Sequence, residues 1–268
     1  MKFDMHCHTR EGSIDARVSI REYLEIIKEK GFGGMLATDH DSYGGYDYWA
    51  AHRDEMPEGV IVIRGVEYDT RDSGHFLVIV PDDVNIRLLT YRGMGVEALT
   101  RIVHRMGGVL GPAHPFGMRS SSAMFFRKLK KDPWLFREFD FLEGMNTCEK
   151  VSANAMAREL ADRYDLPCVG GSDAHKAIYA GTCFTDFDRD ITSAQDMIDA
   201  IREGGIAAFG GKEREFLRSH NKRNWFATTW GFRAFNFGVG ALYTPVRRHE
   251  LNQLMREEKG PLDRKSVV

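Results

Sequence analysis

Asp4-Met5-His6-Cys7-His8, preceded by Met1-Lys2-Phe3, reads as a short strand carrying two histidines one residue apart. Side chains alternate along a strand, so His6 and His8 point to the same face. Two imidazoles on one face at a strand end can grip one metal ion. A His-x-His pair alone is weak evidence, because chance also produces it. Its weight comes from four other strand-like segments, each delivering His, Asp or Glu at or just past its C-terminal end.

Those segments follow in order. Gly33-Gly34-Met35-Leu36-Ala37-Thr38 is short and apolar and ends in Asp39-His40-Asp41. Residues 60–66 run into Glu67, residues 109–113 into His114-Pro115, and residues 168–172 into Asp173-Ala174-His175. Residues 75–80 are strand-like too, with His75 at their start, where it can return beside Glu67. Residues 139–145 form a strand running to Asn146, and 181–185 are expected as the last strand of the core. Helical patterns lie between. Ser19-Ile20-Arg21-Glu22 is a capping box for a helix that Gly31 closes, and Thr192-Ser193-Ala194-Gln195 is a second, for a helix reaching Gly204-Gly205. Residues 46–53, 95–106 and 151–164 are helical by spacing.

About seven strands alternating with helices predict a parallel α/β arrangement. In such folds functional groups collect at the C-terminal strand ends, which is where His6, His8, Asp39, His40, Glu67, His114, Asp173 and His175 fall. Eight strands would be needed for a regular barrel. Seven favour a distorted seven-stranded (β/α)7 barrel over an open sheet.

The chain has 268 residues, 43% hydrophobic and 28% charged, an ordinary globular composition, and a net charge of −2. The charge is uneven. Residues 212–268 hold twelve Lys/Arg against six Asp/Glu, so the remainder is acidic. An acidic metal site beside a basic rim that meets phosphate would produce this, as would a solvated surface. Cys7, Cys148, Cys168 and Cys183 form no Cys-x-x-Cys pair and sit in apolar or strand-like settings. Free thiols and a cytoplasmic location are expected. No apolar stretch follows a basic start and no run approaches about 18 apolar residues, so neither a signal peptide nor a membrane span is expected. Residues 119–137 carry six basic residues and one acid, Asp132, among Phe125, Phe126, Trp134 and Phe136, and read as an amphipathic helix with a basic face. Residues 212–268 read as a basic, aromatic and mostly helical extension packed on a barrel of residues 1–211.

His6-Cys7-His8, Thr38-Asp39-His40, Gly65-Val66-Glu67, Ala113-His114-Pro115 and Gly171-Ser172-Asp173-Ala174-His175, in this order, resemble the polymerase-and-histidinol-phosphatase (PHP) family over roughly residues 1–211. The resemblance implies a barrel with two to three divalent ions at its mouth, up to a trinuclear site of Zn, Mn or Fe. It implies a first metal on His6, His8, Glu67 and Asp173, a second on Asp15, His40 and His175, and a third sharing Glu67 with His75 and His114. Mixed imidazole and carboxylate ligands suit those metals, and a carboxylate can bridge two ions. Asp39 is an alternative to Asp15, or a residue that orients a ligand. Cys148 is a rival ligand in the third site. His52, His104, His220 and His249 match no ligand block. Arg119 and Lys176 stand where a phosphate could be held, or are surface charges.

The implied activity is phosphate-ester hydrolysis by a hydroxide held between metals, with Glu67, Asp173 and His175 at the reacting centre. The expected partner is a small phosphorylated substrate. The Gly-Ser-Asp-Ala-His block and the basic-aromatic segments favour a nucleotide or short oligonucleotide. A histidinol-phosphate phosphatase is the enzymatic alternative, and a catalytically silent ligand-binding module the alternative of another class. The near-complete ligand set argues against silence.

Overall fold

The computed structural model of the chain describes residues 1–84, 87–117, 121–212 and 222–257. Nine strands are present among them: β1 (Lys2–Cys7), β2 (Gly34–Ala37), β3 (Ile61–Thr70), β4 (Gly74–Ile79), β5 (Val109–Pro112), β6 (Leu142–Asn146), β7 (Cys168–Gly171), β8 (Cys183–Phe187) and β9 (Ile206–Gly211). One curled sheet runs β5-β4-β3-β2-β1-β8-β9, and β6-β7 is a separate parallel pair. That pair fills the gap between β5 and β1. On one side the Asp140 N–H donates to the Leu110 carbonyl at 3.0 Å, and on the other Asp173 N–H donates to the His6 carbonyl at 2.8 Å. The seven strands β1–β7 therefore enclose a distorted α/β barrel. β8 and β9 continue the sheet outside it, starting from the first residues of β1.

The helices are α1 (Ile20–Glu29), α2 (Gly44–Ala51), α3 (Val96–Arg105), α4 (Lys128–Lys131), α5 (Val151–Tyr164), α6 (Ala194–Arg202), α7 (Lys222–Leu242) and α8 (Thr244–Glu257). α1 begins where Ser19 Oγ accepts from the Glu22 N–H, and it buries Ile20, Tyr23, Leu24 and Ile27 against the sheet. Inside the barrel, Phe3, Met5, Leu36, Ile63, Leu77, Val109 and Val169 pack with Met197, Ile198 and Ile201 of α6. α6 thus closes the end where the parallel strands start, and leaves the opposite end for polar groups.

A β-bulge decides what that polar end contains. The β1–β2 register slips between Asp4 and Cys7. Before the slip Phe3 and Met5 face the barrel interior, while Asp4 turns outward and accepts from the Tyr23 hydroxyl of α1 at 2.8 Å. After it, Cys7 joins the outer cluster around α1, and His6 and His8 face inward. The extra residue re-aims the histidines from the helix side to the mouth.

Several local expectations are corrected. The barrel is not wholly parallel: β4 is antiparallel to both β3 and β5, because Arg71-Asp72-Ser73 and Gly74 (φ 71°) make a tight turn that forces a hairpin. The strand expected at 181–185 is β8, antiparallel to β1 and outside the barrel. β9 was not anticipated, since Ile-Ala-Ala-Phe-Gly-Gly has little strand character of its own and is defined by pairing with β8. The second cap is shifted by one: Ser193 Oγ accepts from Asp196 N–H, while Thr192 donates twice to the Asp196 carboxylate. The basic helix over 119–137 is absent where residues are described. Single turns at Ala123–Phe125, Lys128–Lys131 and Pro133–Glu138 replace it, with Pro133 ending the middle one. Beyond β9 the described chain is α7 and α8. Leu251 and Leu254 pack on the outer core, and Tyr243 meets Tyr91 edge-on.

Candidate metal centre

Nine side chains from seven places in the chain meet at the open end of the barrel. His6 and His8 turn their Nε2 atoms to within 3.1 Å of each other. Asp173 Oδ1 lies 3.7 and 3.3 Å from those two atoms, and Glu67 lies 3.4 and 3.3 Å from them through Oε1 and Oε2. Beside this group, His40 and His175 direct Nε2 at Asp15 Oδ2, at 3.6 and 3.4 Å. On the other side, His75 Nδ1 and His114 Nε2 reach Glu67 Oε1 at 2.8 and 2.9 Å. Glu67 therefore touches every histidine group, reaching the outermost through His40 Nδ1. His6, His8 and Glu67 are fully buried, whereas the Asp15 side chain is 56% exposed, so the mouth opens on the Asp15 side.

The donor set suits cations. Glu67 Oε2 is buried and accepts no hydrogen bond, although His40 Nδ1 stands 2.8 Å away. His6–His8–Glu67, His8–His40–His175, His6–His114–Asp173 and His40–Glu67–His75 each place three donor atoms within 4.8 Å of one another. Mixed imidazole and carboxylate donors match Zn, Mn or Fe chemistry.

Charges are tightly coupled. Burial opposes ionisation of Glu67, yet His75, His6 and His40 around it hold its carboxyl well below the usual range. Asp173 is likewise held low against burial by His6, His8 and His175. Burial disfavours a proton on His6, but Glu143, Glu67 and Asp173 outweigh it and raise its pKa. His8 moves the other way, to about 3, through burial and its neighbours His175 and His40. Burial also opposes a proton on His75, but Glu67 and Asp69 raise it to about 9. With no cation between them, the facing nitrogens of His6 and His8 cannot both be protonated.

A layer of groups behind the donors fixes them. Glu143, buried in β6, accepts from His6 Nδ1 at 2.9 Å through Oε1 and from the His114 N–H at 2.6 Å through Oε2. It leaves His6 Nε2 with its lone pair toward the site. Asp4 accepts from the Ser172 and Gly181 N–H groups and from Tyr23, locking β1 to the Asp173 turn. Sequence reasoning did not assign Glu143 or Asp4. The available signal was a carboxylate inside an apolar strand, which must be paired if buried. Asp39 is not aimed at the cluster. Its oxygens accept from Thr9 N–H, Thr9 Oγ1, Ser13 Oγ and Gly45 N–H, so it pins the loop that presents Asp15. Asp41, His114 and Asp173 have positive φ of 46°, 29° and 50°, uncommon for non-glycine residues. Three of the four such positions among the described residues lie at these strand ends, where the chain turns sharply to aim side chains.

Other candidates fall elsewhere. Arg119 lies outside the described residues, as does His220. Lys176 is exposed next to His175. Cys148 is half-buried, its thiol 3.0 Å from the Asp173 carbonyl and absent from the donor groups. His52 stacks on Tyr48, and His104 pairs with Asp140 at 2.9 Å. His249 is on the exposed side of α8. No helix among the described residues is long and apolar enough to cross a membrane.

The sequence matches the PHP domain over residues 4–164 and the PHP-associated family over residues 151–206. No curated protein matches it. Among solved structures it is similar to the lesion-specific endonuclease PfuEndoQ from Pyrococcus furiosus, with TM-score 0.64 and 19% identity over 85% of this chain and 66% of that one. It is similar to Endonuclease Q in complex with a 27-mer duplex substrate with an abasic lesion at the active site, with TM-score 0.61 and 18% identity over 85% and 67%. It is also similar to PsfC from Pseudomonas syringae PB-5123, with TM-score 0.57 and 19% identity over 87% and 97%. These likenesses are in fold.

Proposed function

Because this chain belongs to the PHP domain family, we propose that it is a metal-dependent phosphoesterase acting on nucleotides or short oligonucleotides. The observation that carries the reading is the convergence of His6, His8, Asp15, His40, Glu67, His75, His114, Asp173 and His175 on one barrel mouth around a buried Glu67 with an oxygen left unbonded. We assign His6, His8, Glu67 and Asp173 to one ion, Asp15, His40 and His175 to a second, and Glu67, His75 and His114 to a third. When bound, divalent ions supply Lewis acidity toward a phosphoryl oxygen and lower the pKa of a water.

The chain's own residues do the rest. Glu67, fully buried, stays ionised and holds one fixed negative charge between the histidine groups. Glu143 keeps His6 in the tautomer whose Nε2 faces inward. Asp39 and Ser13 hold the loop that sets Asp15, and Ser13 Oγ also accepts from the His40 N–H at 3.0 Å. The substrate phosphate enters over Asp15, His40 and His175, the exposed side, where Lys176 is a candidate anion-binding residue; Arg119, outside the described residues, is a candidate from the sequence alone.

The nucleotide preference is supported by the surface of 121–138 and α7. Lys130, Lys131, Arg127 and Arg137 are exposed, and Arg233 lies over the rings of Phe126 and Trp230 at 5.2 and 5.1 Å. Charge attracts any phosphate, while rings favour substrates with bases, by about 1–3 kcal/mol per stacked base. The duplex substrate with an abasic lesion bound by Endonuclease Q is in keeping with this. We take residues 1–211 as the catalytic unit and 212–268 as its extension. The test is metal analysis followed by a panel of p-nitrophenyl phosphate, nucleotides, short oligonucleotides and histidinol phosphate. Hydrolysis of nucleotide substrates with the highest kcat/KM supports the reading. Histidinol phosphate as the best substrate replaces it with the enzymatic alternative, and no hydrolysis with metal bound leaves a binding module.

A further inference from the structure

α7 lies outside both family matches, yet one of its side chains reaches the wall of the metal centre. Asn236 Nδ2 donates to Asp69 Oδ2, and Asn236 Oδ1 accepts from Arg92 Nη1 at 2.7 Å. The amide orientation follows from its partners, since a carboxylate needs a donor and a guanidinium an acceptor. Arg92 also pairs with Asp41 Oδ2 at 2.8 Å and with Asp69 Oδ2 at 3.6 Å. Asp69 sits opposite His75 in the β3–β4 ladder, with Oδ2 3.8 Å from His75 Nε2. His75 turns its other nitrogen, Nδ1, to Glu67.

The arrangement has a clear electrostatic requirement. Asp41 and Asp69 are nearly buried side by side, and the Asp69 N–H donates to Asp41 Oδ1 at 2.9 Å. Two buried like charges need a positive partner and every lone pair satisfied. Arg92 supplies the charge. Asn236 holds both the arginine and the carboxylate in one geometry. α7 is itself seated closely, since a Cβ on Gly93 would lie 2.7 Å from the Gly240 Cα, and from the following helix α8 Arg247 donates to the Arg92 carbonyl.

We infer that Asn236 is a positioning residue of the metal centre: from α7 it fixes Asp69 and Arg92, and Asp69 stands behind His75, 3.8 Å from Nε2, on the far side of the ring from the Nδ1 that donates to the shared Glu67, so that a metal taking Nδ1 would leave the Nε2–H facing Asp69. A carboxylate behind a ligand histidine sets its tautomer and ring angle, and losing such a partner typically lowers metal affinity about 10–100-fold. This inference rests on the metal reading above and adds to it the extension as a wall of the site.

The test uses full-length protein loaded with Zn2+ and exposed to rising chelator, with retained zinc measured by elemental analysis. Asn236→Ala is expected to release one equivalent at about tenfold lower chelator strength than wild type, with the remaining zinc held as in wild type. Phe237→Ala, an exposed neighbour on α7, sets the baseline and should match wild type. Should Asn236→Ala not fold, the isosteric Asn236→Asp decides the matter: it presents a third carboxylate and should release the same equivalent early. Wild-type retention in the folded variant overturns the inference and leaves the functional reading intact. A wild-type protein that binds no zinc, manganese or iron overturns both.

Discussion

The barrel mouth and the helical extension treat charge and apolar surface in opposite ways. At the mouth, His6, His8, Glu67 and Glu143 are buried and every approach is set by a partner on another strand. On α7, residues 222–242 include no acidic residue, and Trp230, Phe235, Phe237 and Leu242 stand exposed. A buried charge that loses its partner is strongly disfavoured, by several kcal/mol, so the mouth tolerates no approximate geometry. A screened surface charge contributes about 0–1 kcal/mol, so the extension and the turns of 121–138 can act only through many weak contacts. On the proposed reading, chemistry would depend on single atoms at the mouth, and the rim would adjust affinity. Asn236 is the exception, an extension residue that obeys the mouth's rule.

The contrast breaks most directly at Glu67. Glu67→Ala should lower kcat/KM by about 10³-fold or more, a loss of several kcal/mol, and by more than His114→Ala or any other single ligand histidine. Chelation should abolish turnover altogether, with recovery on adding metal back. Equal kinetics for Glu67→Ala and His114→Ala would mean Glu67 is not shared between ions.

One step behind the donors, Glu143→Gln keeps the shape but removes the charge that faces His6. Zinc affinity, measured by competition with a chromophoric chelator, should fall about 10–100-fold. An unchanged affinity would reduce Glu143 to a strand-packing role.

Proton linkage gives a third measurement. His75 in the metal-free protein titrates near 9, raised by Glu67 and Asp69 against the effect of burial. Below that pH the ring holds a proton that a metal must displace. Metal uptake at pH 7 should release protons, and affinity should rise with pH up to about 9, by at most about tenfold per unit for each proton displaced. Calorimetric titrations in buffers of different ionisation enthalpy read this directly. Uptake without proton release at pH 7 would show that His75 is not a ligand.

The smallest effects belong to the rim. Lys128 is engaged by Glu97 and Asp132, so the exposed Lys130 and Lys131 are the better probes. Reversing both to Glu should raise the nucleotide KM severalfold, on the order of 1 kcal/mol, with kcat and metal content unchanged. An unchanged KM at low salt would make the 121–138 turns a structural cover.

Much of the site was legible because metal-ligand chemistry is written in short local patterns. His6-Cys7-His8, Asp39-His40, Glu67, His114 and Asp173-Ala174-His175 each follow an apolar run, and the structure brings His6, His8, His40, Glu67, His114, Asp173 and His175 together at one mouth. The capped helix over Ile20–Glu29 was equally local. Legibility stopped where partners are far apart. β9 has no pattern of its own, and the strand direction of β4 depended on a turn.

The sequence by itself determined which donors exist, their order and that they sit at strand ends, because residue type and period are properties of neighbours. Tertiary structure alone decided their aim. Alternation puts His6 and His8 on one face, but the slip against β2 chooses the barrel interior over the α1 side. It spent both oxygens of Asp39 on the loop and turned Asp15 toward His40 and His175. It brought Glu143 to His6 across 137 residues and Asn236 to Asp69 across 167. Burial makes such pairings obligatory once the chain is folded, but no local pattern says which distant residue will be there.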